Sequence, residues 1–558
     1  MSRSIETTAF AERTGECLWR ESEMKSGRPP EENFVLTAQA LRWKQKELEA
    51  RNLCGGFFGY CMDLACRRTE IRLTVSEALR AMLLDDDEKD ARFQRENEEA
   101  WRVLIDACQP GINHADRSKQ KKAIEKLSVA TSWSDSCSDE VFRSYAGPEG
   151  KGGVVAVVNP YPVRRKMFTC IPSKGPLYVF DGEKELPAQY IGGDGATAVE
   201  VEMDGLSIRT LRVKENAPDC VMETVPDTGY LFENEKMKVK ILSDGRIISL
   251  CSVEKGEVLS GLGGNVLEAR LTRADGTTER LRGQASQPAR VEKGRLFDNV
   301  LVDGTLGDSH YKMIMYLPHG TSQRIEIMTD IYASDALRGA LEQPESEIMT
   351  CWHSNMDSPR VLTDGPYHCR GVSAGEEILS SNGIAVTQGE KGFLYDHQGV
   401  TRSLFQNGTL INRWAKGGFG AKEDLPAGML DAASDEEPSN HSYRYFNAID
   451  LTDTDDVGEM FSRILYYQIP MVPLRTQKAV ADRTLFSMEG YDMVFSSAVR
   501  EGGKIWIKMW NATDRRVPLR WHGEWQVDKV IGEDGRVMTS APYADPGEIV
   551  LFMTEKNG

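Results

Sequence analysis

Apolar residues first fall into a helical rhythm after Asn33, where Leu36, Ala40, Leu41, Trp43 and Leu48 recur with charge between them, and the rhythm breaks at Gly55-Gly56. The 30 residues before it are polar and end in the breaker cluster Gly27-Arg28-Pro29-Pro30, which reads as a loose start. A second helix is predicted over Tyr60 to Met82, with Met62, Leu64, Ala65, Ile71, Val75, Leu79 and Met82 on one face and Arg67, Arg68, Glu70 and Arg72 on the other. The acidic run Asp85-Asp86-Asp87-Glu88 then reads as a solvated turn or helix start. A third helix is expected from Glu96 through Trp101 and Leu104 to Cys108, stopped by Pro110-Gly111, and a fourth around Lys119 to Leu127.

Beyond residue 150 the period changes from 3.6 to 2 and no long helical stretch is expected. Short runs such as Val154–Val158, Met237–Ile241 and Lys504–Lys508 are bounded by turn signals, among them Asp181-Gly182, Asp244-Gly245, Asp275-Gly276 and Asp534-Gly535. The fold class that follows is α+β, predominantly β: an N-terminal helical bundle followed by two or three antiparallel β-sandwich domains, in a supersandwich-like arrangement. The expected division is 1–55 helical or irregular, 56–145 helical bundle, 150–225 small sandwich, 226–475 large sandwich and 476–558 C-terminal β domain.

Composition narrows the function classes. With 68 Lys and Arg against 85 Asp and Glu, the 558-residue chain carries a formal charge of −17. That disfavours nucleic acid or an anionic membrane as partner and allows a neutral ligand such as a sugar. No apolar run is long enough for a membrane-spanning helix and the opening residues lack the core of a signal peptide, so a cytoplasmic protein is expected. The 11 cysteines are scattered without a CxxC pair and are expected to be thiols.

Catalytic signatures are sparse. No Walker loop, HExxH, GxSxG or helix-opening GxGxxG occurs, and the Gly-rich Ser260–Asn265 reads as a loop between strands. His114 and Asp116 form a His-x-Asp pair that can place imidazole and carboxylate on one metal ion, but two ligands fall short of a site. His310 near Asp308 and His397 beside Asp396 read as lining polar loops, and Trp414, Trp506, Trp510, Trp521 and Trp525 read as core. Carboxylate pairs for glycoside hydrolysis are too numerous to choose from without geometry.

Several segments, in order, resemble the α-mannosidases of glycoside hydrolase family 38. Val157-Val-Asn-Pro-Tyr-Pro-Val-Arg-Arg165 is similar to the strand that opens that family's β region, and Asp181-Gly182 with Leu186-Pro-Ala-Gln189 to the hairpin after it. Leu231–Ile241, Asp244–Leu250, Glu254–Val258 and Gly264-Asn265 resemble its next segment, the most specific of all. Asp364-Gly-Pro-Tyr367, Ile505–Asn511, Arg67–Glu70 with Ser76–Leu79, and Glu99–Leu104 complete the resemblance, over about residues 56 to 555.

The resemblance implies an α-mannosidase-like glycoside hydrolase region whose ligand is a mannose-containing glycan. In that family a retaining mechanism is run by a barrel that precedes the bundle and carries the nucleophile, the acid/base and three of four ligands to one zinc ion. Here about 55 residues precede the bundle and hold no metal-binding His-x-Asp motif, so those roles have no positions to land on. The fourth zinc ligand would stand near Gln109-Pro110-Gly111, with His114 and Asp116 as a displaced version. Three readings follow: a region whose barrel is truncated away or supplied by a separate chain, which predicts an apolar patch on the bundle; a non-catalytic carbohydrate-binding or scaffold protein with that surface polar or covered by residues 1–55; or a chain that hydrolyses glycosides alone by a carboxylate pair in the sandwiches. Assembly as a homo-oligomer is a further implication.

Overall fold

The computed structural model describes residues 57–84, 86–107, 117–147, 149–192, 195–217, 221–225, 229–272, 275–334, 337, 345–365, 368–399, 402–417, 442–501 and 504–555. The helix expected over residues 33–48 and the pair His114 and Asp116 lie outside these residues.

Three helices open the described chain: α1 (Phe57–Leu83), α2 (Asp87–Ala107) and α3 (Arg117–Ala146). The acidic run starts α2, where Asp86 Oδ1 accepts from the amides of Glu88 at 3.1 Å and Lys89 at 3.0 Å and so satisfies two orphan donors. Glu77 of α1 faces α2, and its Oε1 accepts from Asn97 Nδ2 at 2.6 Å and Trp101 Nε1 at 2.9 Å in a buried setting. Helix α3 runs about five turns beyond the expected Leu127. Its added part is rich in Ser and Thr, poor helix formers, and packing overrides propensity: Ser134 is fully buried and Thr131 Oγ1 meets Thr69 Oγ1 of α1 at 2.8 Å.

The strand Glu149–Asn159 begins the β region in a sheet ordered Val472–Thr476, Glu149–Asn159, Ser207–Glu215, Leu177–Asp181, Lys184–Leu186. A three-stranded sheet of Arg165–Pro172, Ala196–Met203 and Ala188–Ile191 belongs to the same unit, and Val155, Val157, Ile171, Val179, Val199 and Leu211 fill the core between them. The larger core holds Ile327, Tyr395 and Tyr445 from an 11-stranded sheet together with Ile348, Trp352 and Trp414 from a six-stranded one. In the Gly-rich loop a Cβ on Gly264 would lie 2.2 Å from Trp352 Cε3, so the glycine lets the loop close over the indole, as a connection between strands.

A five-stranded sheet, Met493–Glu501, Lys504–Asn511, Ile549–Glu555, Gln526–Gly532 and Val537–Met538, closes the chain. Helix α1 serves two cores, giving Leu64 and Leu73 to the large one and Leu79 and Met82 to the one shared with this last sheet. Trp414, Trp506, Trp510 and Trp525 are buried, as expected for core.

Two expectations need correction. A helix, α4 (Val457–Gln468), stands inside the β region, capped by Asp456, whose Oδ1 accepts from Glu459 N at 3.0 Å. Its signal was present, since Val457, Met460, Phe461, Ile464 and Leu465 follow helical spacing behind an Asp-rich cap. The cysteines are not all thiols: Cys66 is disulfide-bonded, whereas Cys137, Cys170, Cys251, Cys351 and Cys369 are not. No described helix is long and apolar enough to cross a membrane.

Candidate functional site

A cleft of about 560 Å³ lies between the three-stranded sheet of the small sandwich and one face of the 11-stranded sheet. That face is set by strand alternation. Arg324, Glu326 and Met328 project to one side of the strand Arg324–Tyr332, and register places Glu326 opposite Ala448 and Ala448 opposite Asp396. Phe168, Cys170, Ile191 and Ala198 form the opposing wall, and the end of α4 supplies Tyr467 and Gln468.

The polar end is a chain of hydrogen bonds. Arg324 Nη2 donates to Asp396 Oδ2 at 2.6 Å and Nε to Glu326 Oε1 at 3.0 Å, with the guanidinium 4.2 Å above the Tyr467 ring centroid. Asp396 Oδ1 accepts from Gln468 Nε2 at 2.7 Å, and Gln468 Oε1 accepts from Arg67 of α1 at 2.7 and 3.1 Å. Arg67 reaches on to Glu70 at 2.9 Å, so one network joins the helices to the cleft.

Burial opposes the charge on Arg324, but the Asp396 and Glu326 carboxylates hold its guanidinium above the usual range. Burial lifts the Asp396 carboxyl above the ordinary carboxylate value, with Arg324 and Gln468 pulling it back. The Glu326 side chain, by contrast, is 51% exposed and offers acceptor oxygens to the cleft. Arg444 also lines the cleft and is held in a bidentate pair with Asp330 at 2.6 and 2.9 Å.

The apolar side is aromatic. Phe168 meets Phe297 edge-on at 5.8 Å and Phe297 meets Tyr316 edge-on at 5.5 Å, whereas Phe446, which also lines the cleft, lies under the Arg68 guanidinium at 4.8 Å. Ring faces beside fixed hydrogen-bonding groups suit a small ligand with an apolar face and polar edges.

His397 is 1% exposed, and burial, with the charge of Arg67 adding, pushes its imidazole down to about 3. Its Nε2 lies 3.0 Å from Ser380 Oγ, and that hydroxyl in turn donates to Asp364 Oδ1 at 3.0 Å. Assigning the hydroxyl proton to the carboxylate makes Nε2 the protonated nitrogen. Asp364 itself is a staple, accepting from the amides of Ser381, Asn382 and Gly383 at 3.2, 3.0 and 3.1 Å.

Solved structures similar to this arrangement of helices and sandwiches include two from Enterococcus faecalis. An α-mannosidase from Enterococcus faecalis V583 matches with a TM-score of 0.68 at 12% identity, covering 93% of this chain and 72% of that one. A protein in glycosyl hydrolase family 38 from Enterococcus faecalis matches with a TM-score of 0.67 at 13% identity, covering 93% of this chain and 73% of that one. The fold is a family 38 α-mannosidase-like fold. No family model matches the sequence, and no curated protein matches it.

The family 38-like fold accounts for the motif residues as structural parts. Asn159 Oδ1 accepts from Tyr161 N at 3.1 Å and Arg165 Nε at 2.7 Å. Asn234 bonds the Pro318 and Ser322 carbonyls at 2.8 and 2.9 Å. Of the chemical candidates, Asp396 and His397 are brought to the cleft, although the sequence reads them as a polar loop, whereas His310 stands exposed on the strand Ser309–Pro318. Arg324, Glu326 and Gln468 are cleft residues that the sequence reading missed. The one available signal was the alternation Arg324-Ile-Glu326-Ile at the start of the strand.

Among the described residues no three His, Cys, Asp or Glu side chains converge, and His397 Nε2 is engaged with Ser380; His114 and Asp116, the zinc candidates, lie outside them.

Proposed function

We propose that this chain is the helical and β-sandwich region of an α-mannosidase-like glycoside hydrolase, handling a mannose-containing glycan and hydrolysing it only together with a separate barrel-bearing chain. The observation that carries this reading is the family 38-like fold over 93% of the chain. About a quarter of the matched mannosidase has no counterpart here, since 72% of it is covered, and the reading assigns nucleophile, acid/base and zinc to a partner of that kind.

A second reading, a non-catalytic carbohydrate-binding protein, is favoured by the surface of the helices. Among the residues of α1 to α3 whose side chains are described, the exposed large apolar one is Val129, at 69%, and a single side chain does not make a docking patch.

Hydrolysis of a nitrophenyl α-mannoside separates the two. The purified chain is assayed alone and with any barrel-bearing protein encoded beside it, with added zinc and with a chelator. Activity only in the mixture, lost on chelation, supports the split enzyme. Silence in both arms supports the non-catalytic reading. Activity from the chain alone overturns the need for a partner and makes His114 and Asp116 the first residues to mutate.

A further inference from the structure

We propose that the cleft between the small and large sandwiches is a binding site for one neutral hexopyranose unit, with Glu326 as hydrogen-bond acceptor and the Phe168 and Tyr316 side as the stacking surface. The site acts by binding and needs no partner chain. It rests on the preceding reading only for the choice of a mannoside as first probe.

Charge selects the ligand class. Two guanidinium groups, Arg324 and Arg444, and two carboxylates, Asp396 and Glu326, line the cleft. A phosphate or carboxylate would meet the Glu326 oxygens, and an ammonium group would meet the two guanidiniums, so neither sign of charge is favoured. A polyhydroxyl ligand faces no such conflict, because each hydroxyl both donates and accepts. Glu326 spends one oxygen on Arg324 Nε at 3.0 Å and, with its side chain half exposed, keeps lone pairs for a pair of ring hydroxyls.

Shape agrees with charge. The volume of about 560 Å³ lies within the range of small-ligand sites. The C–H face of a pyranose can lie against the aromatic side while its hydroxyl edge meets the polar end. The polar end is also fixed in place before any ligand arrives: Arg324, which holds Glu326, is itself held by Asp396, and Asp396 by Gln468. Little ordering is then left to be done on binding.

Cys170 provides the test, because its exposed thiol lines the same cleft. The full chain is labelled with a fluorescent maleimide and Cys170 modification is followed by peptide mass mapping. The labelling is run with and without methyl α-mannopyranoside, other neutral methyl hexosides, inorganic phosphate and choline. The expected result is that at least one neutral hexoside slows labelling of Cys170 severalfold. Phosphate and choline should have no effect, and Glu326→Ala should weaken the protecting hexoside about tenfold or more.

Protection by another hexoside but not the mannoside keeps this site and counts against the mannosidase reading. Mannoside hydrolysis with a barrel-bearing chain but no hexoside protection does the reverse. Protection by phosphate or choline overturns the proposal, as does a Cys170 that stays unlabelled in sugar-free protein. Unchanged protection in Glu326→Ala overturns the role given to the carboxylate.

Discussion

Arg165 Nη1 donates to the Ile469 carbonyl at 2.6 Å, so a side chain from the first β unit closes the end of a helix that follows it by about 300 residues. The same nitrogen also donates to the Tyr466 carbonyl, and Nε donates to Asn159 Oδ1 at 2.7 Å. Arg165→Met takes this donor from the buried Tyr466 and Ile469 carbonyls, leaves Asn159 Oδ1 with the Tyr161 amide alone, and should cost about 3 kcal/mol in urea unfolding of the full chain. Arg165→Lys should recover little of it, because a single ammonium cannot span acceptors on both sides of a planar fork.

Gln189 joins the two sandwiches. Its Oε1 accepts from the amides of Leu296 and Phe297, both at 3.1 Å, in a buried setting. Gln189→Leu orphans two buried N–H groups and should cost about 2 kcal/mol, with faster amide exchange at residues 296 and 297. Gly294→Ala should act at the same joint, since a Cβ there would fall 1.8 Å from Gln189 Oε1.

Acid should weaken the cleft region through His397. Its imidazole is depressed from 6.5 to about 3 in the folded chain, by burial first and by Arg67 second. The folded state therefore refuses a proton that the unfolded state takes. The contribution is fully present above about pH 6.5 and is lost as pH falls toward 3, at up to about 1.4 kcal/mol per pH unit. Stability curves of the full chain between pH 7 and pH 4 check this, and His397→Asn should flatten them.

The pair His319 and Asp298 responds differently. His319 Nε2 lies 3.1 Å from Asp298 Oδ1, and the Asp298 hydrogen bond raises the imidazole pKa. Burial works against the Asp298 carboxylate, but its bonds to His319 and Tyr230 prevail and lower its pKa. The His319 contribution is complete below about 6.5 and fades as pH rises through the raised folded value. The Asp298 contribution is complete above about 3.8 and fades as pH falls through the lowered one. His319→Gln should accordingly cost most stability between about pH 4 and 6.5, and a loss that grows above pH 8 would contradict the assignment.

Much of the fold was legible because the local signals and the tertiary partners agree. Gly182, Gly245, Gly276 and Gly535 of the four Asp-Gly turns all have positive φ, as the turn chemistry requires. Glu77 and Trp101 stand in separate helical motifs and meet in one buried bond at 2.9 Å. Asn511, at the end of another motif, donates to the carbonyls of Arg515, Ala544 and Asp545 at 2.8, 3.1 and 3.0 Å. Motif residues of this kind hold turns, which is why they mark architecture and leave chemistry unspecified.

The extra length of α3 was hidden because its Ser and Thr residues argue against helix locally and are overruled by their packing on α1. The cleft was hidden for another reason. Arg324, Asp396 and Gln468 come from three separate elements, and only the register of Glu326, Ala448 and Asp396 brings the carboxylates to one face. Sequence spacing carries no trace of that register.

The pairing of Glu149–Asn159 with Val472–Thr476 also imposes an order of events during synthesis. The earlier strand leaves the ribosome with one edge open and must wait while roughly 300 further residues are made, on the order of tens of seconds at ordinary elongation rates. Until then the small sandwich lacks an edge strand, and nascent or prematurely stopped chains present Val155 and Val157 beside unpaired backbone, a template for mispairing. Slow translation through the large sandwich would lengthen this exposure, so the yield of native protein should depend on how quickly the ribosome reaches Thr476.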